Sequence, residues 1–398
     1  MSKDNIRVIL LGRNYLTSIS TARSLGKSGY TVDLIYAPIR QDTEIVKACK
    51  YIDKVYDIPS KKDEDIINVI KTEYTDKSKT YVLYPTDDHG IYIADSLRSE
   101  LGDNFVMPFM KGEDEEHQLE HFMRKDVQLS IAEKCGFPSV KSCIIDLADE
   151  NMSIPDDVSY PVFLKPVVSA HAGKSDIGKC ADRNELEKRI AATKSKQRLT
   201  KFMLQEFIHI DSEIVMNGVS DGEKAFIPAV IKKEQVALFN RGVTLKGRLV
   251  STDEIGGLLE KIEKYMSELH YVGMFDLELL VSGDKVYFGE INLRCGGPSY
   301  IYTLCGGNLP SIAVDVLLGG ALPSENKISL NKSFVNDKVI WEDYLHGFIG
   351  KKELKRLIES SDFCLTDDSE DLGPRKVFDK RMKVRDIKKH IKKIIGKK

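Results

Sequence analysis

Between residues 273 and 299 the chain reads GMFDLELLVSGDKVYFGEINLRCGGPS, and its acidic and amide side chains sit inside runs that otherwise look like buried strands. Read with a period of two, Met274, Asp276, Glu278 and Leu280 share one face of the first run. Val286, Phe288, Glu290 and Asn292 share one face of the return run, and Ser282-Gly283-Asp284 is the turn between them. Carboxylates gathered in an apolar setting repel one another unless a cation holds them, and oxygen-only donors suit Mg²⁺, which keeps waters and substrate phosphates as its other ligands. Glu278, Glu290 and Asn292 are therefore candidate ligands of a magnesium–nucleotide site, with Asp276 the substitute if the register differs. Two acids on a hairpin would ordinarily face solvent. Arg294 followed by Cys295-Gly296-Gly297-Pro298 argues otherwise, because a guanidinium beside a glycine turn can grip a carboxylate or phosphate. Arg294 is the catalytic candidate.

Glu278 followed by Glu290-Ile-Asn292-Leu-Arg294 resembles the metal-binding end of the ATP-grasp superfamily, which includes carboxylate–amine ligases, carbamoyl phosphate synthetase and biotin carboxylase. Other residues fall in the order this resemblance expects, over roughly residues 5 to 320. Lys125-Asp126, a helix and then Gly136-Phe-Pro138 are similar to the entry of the nucleotide domain, which makes Lys125 a phosphate contact; alone it would read as a surface lysine. In Tyr160–Pro166 one lysine interrupts an apolar strand and must either reach solvent or meet an anion; the resemblance makes Lys165 the second ATP lysine. It also implies that Gln205, Glu206, Phe207 and Ile208 form a hinge against the adenine edge and that Glu213 binds ribose hydroxyls. The run SAHAGKSDIGK from position 169 could close over a triphosphate, although His171 and the few glycines depart from the family's lid. Gly173-Lys174-Ser175 ends like a P-loop, but position 168 is Val where the first glycine should stand. Lys232, Lys233, Arg241 and Arg248 are unranked candidates for contacting phosphate or an anionic substrate.

The elements that must hold these residues begin with the strand IRVILL, a turn at Gly12-Arg13-Asn14, a helix through Ile19, Ala22 and Leu25, and a second strand from Tyr30 to Tyr36. This is the opening of a parallel α/β layer. The turn holds one glycine where the dinucleotide fingerprint needs three, so a nicotinamide enzyme is not expected. A strand at Tyr81–Tyr84 runs into Pro85-Thr86-Asp87-Asp88, where either acid could line an acceptor pocket or cap the helix that follows. Glu113 to Lys134 reads as one helix. The expected fold class is α/β: a Rossmann-like amino-terminal (pre-ATP-grasp) domain over residues 1–112, an α+β ATP-grasp domain over 113–320 with a lid subdomain at about 138–204, and a basic carboxyl-terminal extension over 321–398.

The net charge of −2 hides an asymmetry: residues 374–398 hold 12 Lys/Arg against two Asp, and the rest of the chain holds 47 against 59. An acidic body does not favour nucleic acid. In the tail, Val384, Ile387, Ile391, Ile394 and Ile395 fall on one side of a helix with lysines around them. That pattern reads either as an element that lies on anionic membrane or as a solvated cap on the acidic body. No apolar run approaches the length that spans a bilayer, and no signal peptide is evident, so a cytoplasmic protein is expected, with peripheral contact at the inner membrane surface left open. Seven cysteines without a CxxC pair argue against a disulfide framework or a zinc site.

The expected activity is an ADP-forming, ATP-dependent ligation of a carboxylate to an amine through an acyl phosphate, with ATP and one or two Mg²⁺ (or Mn²⁺) and small-molecule carboxylate and amine substrates. The single nucleotide unit and the E-I-N-x-R ending resemble bacterial D-aspartate ligases and related amino-acid ligases, which act on cell-wall precursors. Carboxyphosphate chemistry and a non-catalytic ATP-binding regulator are the alternatives, and homo-oligomers are not excluded.

Overall fold

The computed structural model describes residues 2–112, 118–168, 176–194, 200–240 and 242–395. The lid residues 169–175, with His171 and Gly173-Lys174-Ser175, and the candidate Arg241 lie outside the described residues.

The amino-terminal layer is a parallel five-stranded sheet in the order Lys54–Asp57, Thr31–Tyr36, Ile6–Gly12, Thr80–Pro85, Phe105–Val106. Ile6–Gly12 is central and covered on both faces, so its sequence is continuously apolar instead of alternating. The strand order reverses between Ile6–Gly12 and Thr80–Pro85. Their carboxyl ends, at Arg13-Asn14 and Thr86–Asp88, thus form the crevice where open α/β sheets take ligands.

Helix Tyr15–Lys27, capped by the Asn14 side chain accepting from Leu16 N–H, has 11 of its 13 residues buried. One sheet face cannot bury a helix on all sides. The remaining cover comes from helices Tyr300–Leu304 and Leu309–Leu317, so the amino-terminal layer shares its core with the rest of the chain.

The largest sheet has nine strands and holds the acidic hairpin at one edge. Its main order is Lys285–Asn292, Tyr271–Ser282, Ser212–Asp221, Val230–Val236, Thr244–Val250, Lys332–Val335, Phe363–Cys364. Short strands at Ala225–Phe226 and Phe109–Met110 pair off this path. Alternation sorts its side chains: Val215, Val219, Ile231, Leu249 and Met274 face helices Tyr15–Lys27 and Leu309–Leu317. Met216, Phe275, Leu277, Leu279 and Ile291 face helices Lys125–Lys134 and Leu258–Leu269. A separate antiparallel sheet, Ser142–Asp146, Lys201–Glu206, Val162–Pro166, Gly178–Cys180, is closed by helix Arg183–Lys194, whose Leu186 and Ile190 share a core with Leu164 and Phe202.

Two local expectations are corrected. Where one helix was expected from Glu113 to Lys134, the described part is two, Gln118–Phe122 and Lys125–Lys134. Arg124 is extended between them, and Lys125 N–H donates to Val167 O at 3.0 Å, which ties the start of the second helix to the small sheet. The second correction concerns the hairpin: Asp276 pairs with Asn292 and Glu278 with Glu290, but Leu279 pairs with Phe288, so Gly289 is an extra residue. That bulge exchanges faces. Phe288 and Val286 turn to the apolar side with Leu279, while Glu290 and Asn292 stay with the acids. A Cβ at Gly289 would lie 2.7 Å from Glu278 O, so the close approach needs glycine.

The carboxyl-terminal region is woven into both layers. Lys332–Val335 extends the large sheet, and the fully buried Arg23 donates through Nε to Asp371 at 2.8 Å and through its terminal nitrogens to Thr366 O and Asp371 O. Helix Leu372–Ile395 then lies across Thr43–Lys47 and Asp337–Leu345.

Candidate functional site

The bulged hairpin brings the metal candidates together: Glu278 is directly opposite Glu290, and Asn292 is opposite Asp276. Asn292 donates its amide N–H to Asp276 at 3.3 Å, which leaves its carbonyl oxygen as the acceptor atom of that side chain. Asp276 is buried and also accepts from Asn217 at 3.1 Å, with Arg294 3.8 Å away. It therefore positions its neighbours, whereas Glu278, Glu290 and Asn292 are the more open oxygen donors. Among the described residues no group of three His, Cys, Asp or Glu side chains is close enough to cage a metal by itself. Two carboxylates and an amide suit an ion that completes its sphere with water and phosphate oxygens, as Mg²⁺ does.

Each acid has a cation at hand. Lys125, at the start of its helix, reaches Glu290 at 2.7 Å and holds that carboxyl well below its ordinary range. Gln128, one turn on, pins the helix to the strand by donating to Ile291 O at 2.8 Å and accepting from Ile291 N–H at 3.2 Å. Arg294 donates to Asp88 at 2.8 Å and to Cys295 O at 3.0 Å. The backbone behind it turns tightly, because a Cβ at Gly296 would strike the Asp276 carboxylate.

Asp87 and Asp88, indistinguishable in the sequence, have different tasks. Asp87 caps the helix Asp88–Ser96 by accepting from Gly90 N–H at 2.9 Å and also accepts from Arg13 N–H at 2.9 Å. Asp88 faces the site through Arg294.

Lys165 stands on the small sheet, opposite the acids. Among the described residues it has no hydrogen-bond or ion-pair partner. Burial and then the neighbouring Lys125 charge push its ammonium down to about 8, against the opposing pull of Glu290. Glu278 likewise accepts no hydrogen bond among the described residues, and its nearest cation is Lys233 at 3.7 Å. Burial, Glu290 and Asp276 together raise its pKa.

Gln205, Glu206, Phe207 and Ile208 line a cavity of about 230 Å³ between the two sheets, with Lys165, Phe163, Leu280, Tyr287 and Gly289 around it. Lys179 sits 4.2 Å from the centre of the Phe207 ring. The cavity is largely apolar with Lys165 in its wall, a lining that suits a flat base whose phosphates would meet the lysines and acids.

Glu213 is hydrogen-bonded to Lys233, whose side chain is only 3% exposed. Of the three unranked cations among the described residues, Lys233 is the one that meets the acids: burial pushes its pKa down, but Glu278 and Glu213 carry it above the ordinary value. Arg248 pairs with Glu234 at 2.8 Å, away from the acids. Strand parity held the signal, because the pairing of Val215 with Ile231 places Glu213 and Lys233 on one face, but it can be used only once the register is known.

Residues 130–309 match the family model of the ATP-grasp domain. Among curated relatives, the formate-dependent phosphoribosylglycinamide formyltransferase of Prochlorococcus marinus is 23% identical over 218 residues, covering 53% of this chain and 54% of that protein. The chain thus spans about half the length of the curated relatives it matches first. Among solved structures, an L-amino acid ligase from Bacillus licheniformis superposes with a TM-score of 0.61 at 16% identity, over 83% of this chain and 78% of that one. The biotin carboxylase domain of the Hydrogenobacter thermophilus 2-oxoglutarate carboxylase, solved with MgADP, ADP and bicarbonate, gives 0.63 at 17% identity, over 82% and 73%. At such identities the superpositions establish fold. The sequence match takes in Lys165, the hinge and the acidic hairpin, with Lys125 just before its first residue, and makes this part of the chain similar to the ATP-grasp domain.

Proposed function

We propose that the protein is an ADP-forming ligase that joins a carboxylate to an amine at the expense of ATP. The observation that carries this reading is the convergence, on one cleft, of a base-sized cavity, two lysines and a row of oxygen donors ending in Arg294. A carboxylate is a poor electrophile, since attack adds charge to an anion. Transfer of the γ-phosphoryl group to one of its oxygens breaks the bond to ADP and leaves an acyl phosphate. The amine nitrogen then attacks the carbonyl carbon, phosphate departs with the C–O bond, and the nitrogen loses a proton.

Such transfers need positioning and charge neutralisation more than covalent help from the enzyme. Lys125 and Lys165 would face the phosphates from two elements, the hinge Gln205–Ile208 would hold the base, and Glu213, steadied by Lys233, would accept from the ribose hydroxyls. Glu278, Glu290 and Asn292 are the residues that would hold Mg²⁺ (or Mn²⁺), which when bound supplies further neutralisation of phosphate charge. Arg294, fixed by Asp88, would grip the carboxylate or the transferring phosphoryl group beside the crevice of the amino-terminal sheet.

For substrates, the reading is an amino-acid ligase acting on a cell-wall or other peptide or glycan precursor. It is supported by the single nucleotide unit and by the likeness of fold to an amino-acid ligase. The test is release of ADP and phosphate from ATP with Mg²⁺, using L- and D-amino acids alone and beside carboxylate acceptors. Turnover that requires one acid and one amine together is the expected result. Turnover that requires bicarbonate alone would replace the ligase with carboxyphosphate chemistry.

A further inference from the structure

The helix Leu372–Ile395 has two apolar faces, of which its own protein covers one. On the inner side Phe378 and Met382 are buried in the core around helix Tyr15–Lys27. Polar clamps hold the same side: Arg375 reaches Asp337 at 3.1 Å, Arg385 reaches Glu342 at 2.7 Å, and the Tyr344 hydroxyl donates to Asp386 at 2.6 Å. At about 100° per residue these positions cluster on one side, and Ile387 and Ile391 fall on the other, with Val384 beside them at the rim of a groove shared with Thr43, Glu44 and Asp57. Val384, Ile387 and Ile391 are 45%, 59% and 48% exposed. Lys376, Lys380, Lys383 and Lys388 border them, exposed, and form no ion pair among the described residues.

We propose that this outward face docks the protein on an anionic phospholipid surface. The aliphatic side chains enter between the headgroups, and the bordering lysines sit at the level of the lipid phosphates. Charge complementarity favours this occupant over the others. A nucleic acid would meet the lysines but leave the aliphatic stripe without a function. A second copy related by two-fold symmetry would cover the stripe but set one row of lysines against another. Among the described residues no helix is long and apolar enough to cross a membrane, so the contact is peripheral. The inner clamps let the helix meet the bilayer without leaving the body, and the stripe is remote from the residues of the nucleotide cleft in role as well as in element.

The test is co-sedimentation of the full chain with vesicles of phosphatidylcholine alone or mixed with phosphatidylglycerol, at low and high salt. It is run beside the double variants Ile387→Ser/Ile391→Ser and Lys380→Glu/Lys383→Glu, with the thermal midpoint and nucleotide affinity measured on each. The expected result is partition to the mixed vesicles about tenfold above the neutral ones, lowered by salt. Both variants should lose about tenfold in partition with folding and nucleotide binding unchanged. Equal partition to both vesicle types, or none, overturns the proposal. Loss in the lysine variant alone would reduce the contact to charge adsorption and also overturns it. A concentration-dependent dimer that the isoleucine variant abolishes would assign the stripe to a second copy. None of these outcomes bears on the ligase reading, which the ADP assay decides separately.

Discussion

The guanidinium of Arg23 uses all three of its nitrogens, at 2.8 to 3.0 Å, on Asp371 and two backbone carbonyls. The other oxygen of Asp371 accepts from Lys50 N–H at 3.1 Å. Nearby, Asp337 accepts from the Thr366 backbone and hydroxyl and from Arg375. Around Glu290, which Lys125 pairs at 2.7 Å, the neighbouring charges are less completely met. Lys165 has no partner among the described residues, Glu278 accepts no hydrogen bond, and Lys233 is 3.7 Å from it. Both regions withdraw charge from water, but only the first satisfies the charge internally. A saturated network has nothing left to offer a ligand. An unsaturated one is tolerable when something else completes it, which separates a brace from a binding site within one molecule.

The largest effect should come from breaking the brace. Arg23→Ala leaves Asp371 buried without its cation and should cost about 3–5 kcal/mol in denaturant unfolding, with nucleotide affinity unchanged in the protein that remains folded. Glu290→Gln should do the opposite: a thermal midpoint within a few degrees of the parent, and ADP release lower by about a hundredfold or more, roughly 2.7–4 kcal/mol of transition-state stabilisation. Undiminished release would remove Glu290 from the metal set.

Lys165→Met sharpens the contrast, since it replaces an unpartnered ammonium with an apolar chain of similar length. Unfolding free energy should hold or rise by up to about 1 kcal/mol, while nucleotide affinity falls by about tenfold or more, read by calorimetry. A clear loss of stability would move Lys165 into the brace class.

The smallest effect is in pH. Burial and Lys125 let Lys165 lose its proton as pH rises through about 8, below its ordinary 10.5, when no phosphate is beside it. Phosphates beside it would raise that value. Binding should therefore take up a proton between those limits, and affinity should fall with rising pH by at most about tenfold per unit. Calorimetry in buffers of different ionisation enthalpy reads the proton directly. Proton release, or no exchange, would contradict the assignment of Lys165 to the phosphates.

Much of this contrast was legible in the chain as written. Strand, glycine turn, helix and strand announced the parallel layer, and the E-I-N-x-R ending announced the acidic hairpin. What failed were decisions that depend on a partner segment. Strict alternation put Phe288 with Glu290, and only pairing with Leu279 exposes the bulge at Gly289. The break at Arg124 is made by a bond to Val167, more than forty positions on. Lys232 and Lys233 are adjacent and alike until Glu213 and Glu278 choose between them. Arg23 carried no signal at all, since its carboxylate is 348 positions away. Local sequence reports period and punctuation; register and long-range pairing belong to the assembled sheet.

That last separation has a consequence for synthesis. A ribosome adding roughly 5–20 residues per second needs about 20–70 seconds to travel from Arg23 to Asp371. For much of that interval the second face of helix Tyr15–Lys27 is open, because Tyr300, Leu309 and Leu365 are added late in it and Phe378 after it. The first layer to emerge is thus the last to be sealed. During translation the nascent chain displays a sticky, half-finished surface, the kind of species that chaperones hold and proteases test.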